Sequence, residues 1–271
     1  MKTQITEIYE KIMRGEEALS ANLETIHSII HKLDQGEIRV CEKIDNQWIT
    51  HEWIKKAILL YFKTQNSTLL DSGSMNYFDK IPMKKWTGQE GVRVVPPAVA
   101  RFGSFVAKGA ILMPSFVNIG AYVGSGSMID TWATVGSCAQ IGSNVHLSGG
   151  VGIGGVLEPA QAQPVIVEDD CFIGSRCIVV EGVHLEPGVV LGAGVTLTSS
   201  TKIINVTSSA GPKITKGTVP ANSVVIPGVE NKTFAAGEFG VPCALIIGQR
   251  QESTNKKTSL NQVLRDFNIT V

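Results

Sequence analysis

The amino-acid sequence predicts a mainly β protein whose centre is a solenoid of short stacked strands. The main observation is an apolar residue at every sixth position, without exception, from Val99 to Ile153. The same period returns from Val167 to Ile203 and again at Val225. A period of six fits neither the 3.6 residues of a helical turn nor the alternation of a half-buried strand, so the chain must turn a corner once per hexad.

The residues at these six-residue positions are expected to point into a narrow core. The first of them are Val99, Phe105 and Ile111. Four residues after each such position the side chain is usually small or β-branched, which suits the same core. These smaller residues include Ser115, Ala121, Ser127, Ala133, Ala139, Val145 and Cys177. Repetition of this length is typical of stacked units that bury a core only together.

Residues 1 to 97 lack the repeat and are expected to form a mixed α/β domain. Apolar residues between Ile26 and Leu33 have helical spacing, and Gly36 should end that helix. A hairpin is expected around Asp45-Asn46. Thr50 is expected to cap a further helix through its hydroxyl group.

Residues 98 to 228 are expected to form the solenoid, with loops near 155–164 and 205–218 where the count of six is interrupted. Residues 229 to 271 should close its open end with a strand over Cys243–Ile247 and a helix from Ser259 to Phe267. Such a cap is needed because the last parallel strands would otherwise expose unpaired backbone groups.

The composition excludes several classes of partner. The chain has 24 Lys and Arg against 24 Asp and Glu, so no net charge draws it to nucleic acid or to an anionic membrane. No apolar run approaches the roughly 18 residues of a membrane span, and we expect a cytoplasmic protein. The five cysteines show no CxxC spacing, which argues against a disulfide framework or a zinc knuckle. Cys171 and Cys177 are expected to be small core residues on different faces.

One carboxylate stands out in the solenoid. Between Gly109 and Leu157, Asp130 is the only Asp, Glu, Lys or Arg. A lone carboxylate on a neutral wall is costly to desolvate unless it meets a cation, which an amine substrate would supply. The alternative is that Asp130 only occupies a corner of the repeat. Arg93, at the junction with the first coil, is suited to a bidentate bond with a substrate carboxylate, or to a structural salt bridge.

The histidines give weaker signals. His146 is expected to face outward as a possible general base, although no acid partner is visible in the sequence, and His184 is a weaker candidate. His27 and His31 have helical i, i+4 spacing that can hold a metal, but no third ligand is evident, so a solvated helix face is favoured. A carbonic anhydrase with three zinc-binding histidines is disfavoured because the solenoid holds only two.

The segments most typical of a known family lie between residues 40 and 190. They are Glu42–His51, Tyr77–Lys84, Gly91–Pro97, Met113–Ser115, Asn118–Val123, Asp130–Gly142 and Asn144–Pro159. With the hexad pattern they resemble the hexapeptide-repeat acyltransferases, and among these the tetrahydrodipicolinate N-succinyltransferase family. The resemblance implies a left-handed parallel β-helix with three hexads per coil, assembled as a homotrimer with the acyl-CoA in the groove between protomers.

The resemblance also implies a reaction. A succinyl group would pass from succinyl-CoA to the amine of the ring-opened dicarboxylate substrate, L-2-amino-6-oxopimelate, in lysine and diaminopimelate biosynthesis. Arg93 and Asp130 match residues that bind the substrate in that family, and Asp130 would also help to remove a proton from the amine. Backbone N–H groups would meet the thioester oxyanion. The resemblance implies no metal and no permanently bound cofactor, and it assigns no CoA-binding residues.

One departure from the family concerns a glutamate. Relatives commonly have a Ser-Glu pair where this sequence has Cys177-Ile178, so Glu181 or Asp130 would have to take its role, or that glutamate is dispensable. Two alternatives remain open. One is an acyltransferase of the same fold that uses another acyl-CoA or another amine, such as an amino sugar. The other is a non-catalytic solenoid that serves as a scaffold for trimerisation.

Overall fold

The computed structural model describes residues 2–16, 19–72 and 75–250. Its centre is a left-handed parallel β-helix, as predicted, in which each coil contributes one short strand to each of three parallel sheets. A mixed α/β domain precedes the solenoid, and a long two-stranded arm follows it. We call the three sheets face one, face two and face three in the order in which the chain visits them.

The strands of the six coils are two residues long and stack in parallel register. Face one contains Arg93–Val94, Ile111–Leu112, Met128–Ile129, His146–Leu147, Phe172–Ile173 and Val190–Leu191. Face two contains Val99–Ala100, Phe116–Val117, Thr134–Val135, Gly152–Ile153, Ile178–Val179 and Thr196–Leu197. Face three contains Phe105–Val106, Tyr122–Val123, Gln140–Ile141, Ile166–Val167, His184–Leu185 and Thr218–Val219.

The second residue of each strand points into the solenoid and forms its core. This corrects the prediction for the first coils, where Val99, Phe105 and Ile111 were expected to point inward. They are the outward residues, and their neighbours Ala100, Val106 and Leu112 are buried instead. The reason is a turn of three residues, 113–115, where the corresponding turns in later coils have four. Because this turn is one residue shorter, the apolar residues at every sixth position point outward before it and inward after it.

The smaller positions behave as expected. Ala121, Ala133, Ala139 and Val145 are all buried in the solenoid core. Cys171 and Cys177 are buried there as well, and they precede strands of face one and face two respectively. Burial raises the pKa of the Cys171 thiol to about 12 and that of Cys177 to about 11, so both remain protonated, inert core groups.

The N-terminal domain contains helices α1 (Lys2–Arg14), α2 (Leu23–Gln35) and α3 (Glu52–Thr64), with a 3₁₀ turn at Leu19–Asn22. Two antiparallel hairpins accompany them, β1 (Cys41–Ile44) with β2 (Gln47–Thr50), and β3 (Thr68–Ser72) with β4 (Met75–Asp79). Gly36 ends α2 in the left-handed conformation, as predicted. Asp45 and Asn46 form the turn between β1 and β2, both with positive φ, which also confirms the prediction.

The prediction that Thr50 caps α3 is wrong. Thr50 is the last residue of β2, where it pairs with Cys41, and His51 occupies the N-cap position without a side-chain hydrogen bond. The His51 N–H donates to the Val40 carbonyl, so strand pairing continues one residue further than the sequence pattern suggests. Strand pairing therefore keeps Thr50 in β2, and α3 begins at Glu52.

The N-terminal domain packs against face three and the turn that leads into it. Ile119 and Cys138, which lie in that turn, belong to the apolar cluster formed by the three helices. The Arg39 guanidinium stacks 3.6 Å from the centre of the Tyr122 ring and donates through Nε to the Gln140 side chain. Face three is thus covered, while the other two faces carry the remaining outward side chains of the solenoid.

The chain leaves the coil at three places. Residues 155–164 contain no strand and lie against α3, where the buried Lys55 Nζ donates to the Ala162 carbonyl at 2.6 Å. Ile203–Asn205 and Lys213–Thr215 form a short antiparallel hairpin. Ser223–Phe234 and Gly237–Gln249 form the long arm, which contains the expected strand at Cys243–Ile247. The helix expected from Ser259 to Phe267 lies outside the described residues.

Candidate functional site

Faces one and two and the turn between them form a surface that we call the front wall. It comprises residues 93–100, 111–117, 128–135, 146–153, 172–179 and 190–197. Within these ranges the only Asp, Glu, Lys or Arg residues are Arg93, Asp130 and Arg176. The front wall is therefore a nearly neutral surface with one carboxylate and two guanidinium groups.

Asp130 begins the turn after the face-one strand Met128–Ile129 and is half-buried. Its carbonyl accepts from the Ala133 N–H at 3.0 Å, which closes the turn. Its carboxylate oxygen Oδ1 accepts from the backbone N–H of Thr131 at 2.6 Å and from the Thr131 hydroxyl at 3.2 Å. The second oxygen, Oδ2, meets no donor in the part of the chain that the structure describes. Asp130 thus has one oxygen that fixes its orientation and one available to a ligand.

Arg93 lies on face one, two strands below the strand that Asp130 follows. It pairs in register with Ile111, which pairs in turn with Met128, so the backbone of Arg93 lies about 10 Å from that of Met128 at roughly 4.8 Å per strand. The Arg93 side chain is exposed and makes no ion pair with a described residue. The structure therefore places the two residues singled out in the sequence on one surface without a direct contact between them.

His146 lies on face one, in the coil directly above that of Asp130. It is in register with Met128 below and with Phe172 above, on whose ring it stacks at 5.0 Å with planes 7° apart. Burial lowers the pKa of the imidazole, and the nearby Asp130 carboxylate opposes this in part. The acidic neighbour that the sequence did not reveal is therefore Asp130. Since one coil is about 18 residues, the spacing of Met128 and His146 could have indicated this adjacency.

His184 is not part of the front wall. It lies on face three, where its Nε2 is 2.7 Å from Glu168 Oε1. The same carboxylate accepts from Lys43 Nζ at 2.7 Å and from the Trp48 indole at 3.1 Å. His184 thus helps to join the N-terminal hairpin to the solenoid, which is a structural role.

The position of the missing family glutamate is occupied by an apolar side chain. Ile178 faces outward on face two with 37% of its surface exposed and lies over Gly152. Glu181 lies at the turn between faces two and three, and its Oε2 accepts from both the N–H and the hydroxyl of Ser199. Among the described residues, Asp130 is therefore the only carboxylate on the front wall.

The described cavities lie away from Asp130. One of about 510 Å³ lies beside the loop at 155–164 and is lined by Glu158 and Glu181, and another of about 320 Å³ lies between the β3–β4 hairpin and face two. His27 bonds to Gln65 and packs on Tyr61, and among residues 2–16, 19–72 and 75–250 no group of three His, Cys, Asp or Glu could hold a metal ion. None of these cavities is lined by Asp130 or Arg93.

Comparison with known proteins decides the family. The chain is 52% identical over 248 residues to 2,3,4,5-tetrahydropyridine-2,6-dicarboxylate N-succinyltransferase of Salmonella heidelberg (strain SL476), with 89% of both chains covered. The enzyme of the same name from Klebsiella pneumoniae subsp. pneumoniae gives the same identity and coverage. The chain belongs to the tetrahydrodipicolinate N-succinyltransferase family.

The family models agree with this assignment. A model described as tetrahydrodipicolinate N-succinyltransferase N-terminal matches residues 1–64, and one described as hexapeptide repeat of succinyl-transferase matches residues 164–199. Among solved structures, a putative 2,3,4,5-tetrahydropyridine-2-carboxylate N-succinyltransferase of Campylobacter jejuni aligns with a TM-score of 0.44 and 17% identity, covering 83% of this chain and 62% of that one. Membership of this N-succinyltransferase family makes the protein a CoA-dependent acyltransferase.

Proposed function

We propose that the protein transfers a succinyl group from succinyl-CoA to the amine of ring-opened tetrahydrodipicolinate, L-2-amino-6-oxopimelate, in lysine and diaminopimelate biosynthesis. The observation that supports this most directly is the front wall, whose single carboxylate, Asp130, has a free oxygen and faces the same surface as Arg93. An acceptor with one ammonium and two carboxylate groups complements that arrangement of charge. The relatives at 52% identity bear the name of this activity.

In this proposal Asp130 and Arg93 orient the acceptor. The Arg93 guanidinium binds one acceptor carboxylate, and Asp130 Oδ2 binds the ammonium and helps to remove the proton that must leave before attack. Burial lowers the pKa of His146, so its imidazole is neutral at neutral pH. A neutral His146 does not compete with the substrate ammonium for Asp130.

The acyl transfer itself needs no covalent intermediate on the protein. The free amine attacks the thioester carbon and the carbonyl oxygen becomes an oxyanion. Collapse breaks the C–S bond and expels the CoA thiolate, which takes up the proton that leaves the nitrogen as the amide forms. The Gly149 N–H lies in the turn one coil above Thr131 and donates to no acceptor among the described residues. We assign it to the oxyanion, because a fixed backbone donor stabilises charge that develops only in the transition state.

The functional unit in this proposal is a homotrimer in the cytoplasm, with succinyl-CoA bound as co-substrate in the groove between protomers. Two large apolar side chains on the front wall support the assembly, since Trp132 is 68% exposed and Ile178 37% exposed. All five cysteines are free thiols, which suits a reducing compartment. In the described residues no helix is long and apolar enough to span a membrane.

Release of CoA, followed with a thiol reagent, tests the reaction. We expect release only when tetrahydrodipicolinate and succinyl-CoA are both present, and the product should have the mass of the N-succinyl adduct. A higher rate with a nucleotide-linked amino sugar would contradict the proposed acceptor. Failure of CoA and acyl-CoA to raise the melting temperature, together with no turnover, would favour a scaffold without catalytic activity.

A further inference from the structure

The β3–β4 hairpin presents an apolar surface to solvent. Among the described residues its two strands pair only with each other, and Leu69 and Phe78, which are opposite one another in the hairpin, are 72% and 74% exposed. An isolated two-stranded hairpin is marginally stable in water, and a large exposed apolar pair is typical of a surface that meets another protein. The hairpin therefore needs a contact beyond those that the described residues of one chain supply.

A cavity of about 320 Å³ lies between this hairpin and the lower part of face two. Most of its lining is apolar and includes Leu70, Val99 and Phe116. Its two charged residues, Asp79 and Arg101, form an ion pair at 2.7 Å, so they cancel one another's charge. The cavity therefore suits an uncharged and largely apolar guest, with room for one aromatic side chain.

One carboxylate oxygen of Asp79 is available to such a guest. Arg101 donates to Oδ2 at 2.7 Å, whereas Oδ1 meets no donor among the described residues. The complementary guest is thus an apolar group with one hydrogen-bond donor. The indole ring of tryptophan has this character, because it is large and apolar and its single N–H acts only as a donor.

Trp132 is the tryptophan that the chain presents to a partner. It is 68% exposed, in the turn between faces one and two, whereas the other three tryptophans are half-buried. Its backbone has positive φ, and its N–H donates to the Pro114 carbonyl at 2.7 Å, which fixes the turn to the coil below. Trp132 is therefore an exposed aromatic group on a rigid support.

Trp132 and the cavity lie at similar heights along the solenoid. Phe116, in the cavity lining, pairs with Thr134 in the coil that contains Trp132, so the step between them is about 4.8 Å, which an indole side chain can span. In a ring of identical chains around an axis parallel to the solenoid, every residue keeps its height. The two features occupy different parts of the surface, as the heterologous contact of a closed ring requires.

We propose that Trp132 of each protomer inserts into the cavity between the β3–β4 hairpin and face two of the next protomer, where its indole N–H donates to the partner subunit's Asp79. This inference rests on the proposed homotrimer and specifies the contact that closes it. Because Asp130 lies two positions before Trp132, the same contact brings the partner's hairpin to the turn that holds the acceptor amine.

Filling the cavity from within its own chain tests the contact. Val99→Trp places a large side chain at an outward position of the lining, so light scattering should show the mass fall from three times 29.0 kDa toward 29.0 kDa. Met13→Trp, at an exposed position on α1, is the matched control and should leave the mass unchanged. A Val99→Trp protein that stays trimeric would overturn the inference and leave the proposed homotrimer intact. A monomeric wild-type protein would overturn the proposed homotrimer, and this inference with it.

A second pair of variants identifies the guest and does not depend on the folding of Val99→Trp. Trp132→Phe keeps an aromatic ring but lacks the N–H, so the trimer should dissociate at a protein concentration at least about tenfold higher than wild type. In an Asp79→Ala background the same change should add less than about twofold, because the hydrogen bond is already absent. Equal effects of Trp132→Phe in both backgrounds, or no effect in either, would show that the indole N–H does not meet Asp79 and would overturn the inference.

Discussion

The two carboxylate oxygens of Asp130 differ in their hydrogen bonds, and this difference leaves one of them able to bind a ligand. Oδ1 is held by both donors of Thr131, while Oδ2 is free of described donors. The first interaction alone would make Asp130 an ordinary turn residue, which was the alternative that its sequence position allowed. The free oxygen, on a wall with no other carboxylate, supports a role in binding the amine.

Asp130→Asn should lower turnover by about 100-fold or more, the size expected for loss of a group that both positions and deprotonates. The amide preserves the acceptor for Thr131, so the turn and the melting temperature should change little. Steady-state CoA release measures the effect. Asp45→Asn, in an exposed hairpin turn that tolerates asparagine, is the control. Near-normal turnover of Asp130→Asn would remove Asp130 from the mechanism.

Asp130 was found in the sequence because charge is rare between Gly109 and Leu157, and Arg93 because it lies at the junction between the N-terminal domain and the first coil. The third charged residue of the front wall, Arg176, was missed because it lies beyond the uncharged stretch and beside ordinary charged turns. The side chain of Arg176 lies over Gly150, 26 positions earlier, where the lack of a Cβ leaves room for it. A list of charged residues ordered by coil and face, and not by sequence number, would have revealed it.

The β1–β2 hairpin shows how an element outside the solenoid is fixed to it. Glu168, which is 7% exposed, accepts hydrogen bonds from Lys43 and Trp48 of the hairpin and lies against His184 of face three. Burial alone would raise the pKa of Glu168, but these hydrogen bonds outweigh it and the pKa is lowered. The carboxylate is therefore the centre of the contact between the hairpin and face three.

Glu168→Gln should destabilise the protein by about 2 kcal/mol, because charge-assisted bonds are lost and the amide cannot accept all of the same donors. The midpoint of urea unfolding at fixed protein concentration measures this, with Glu37→Gln, at an exposed position, as the control. The folded-state pKa of Glu168 is lowered from the ordinary value of a glutamate, so its stabilisation is fully present above the unfolded-state pKa and is lost as the pH falls through the lowered value. The difference in stability between wild type and Glu168→Gln should therefore shrink as acid protonates Glu168. A difference that stays constant with pH would show that the charge is not involved.

At the scale of the whole molecule, the solenoid has one covered face and two faces with outward apolar side chains. Face three is covered by the N-terminal domain, whereas Trp132 and Ile178 project from the front wall. In the proposed homotrimer these two side chains and Asp130 would lie at the contact between protomers.

Light scattering after gel filtration should give a mass of about 87 kDa, three times the 29.0 kDa of the chain. Trp132→Glu should shift the mass toward 29.0 kDa, because it places a charge at an apolar contact. Met13→Glu, at an exposed apolar position on α1, should leave the mass unchanged. A monomeric wild-type protein with full activity would exclude a site between protomers.

The sequence alone determined the solenoid, the hairpin at Asp45-Asn46, the end of α2 and the isolated carboxylate. These are local properties. The six-residue period, the turn residues that favour positive φ and the run without charged residues can each be read from a short stretch of consecutive sequence. Only the tertiary structure decided which residues face outward in the first coils and which side chains surround Asp130. The physical reason is that each coil passes through three turns, and a single shortened turn, at residues 113–115, changes the alignment of coils that are far apart in sequence.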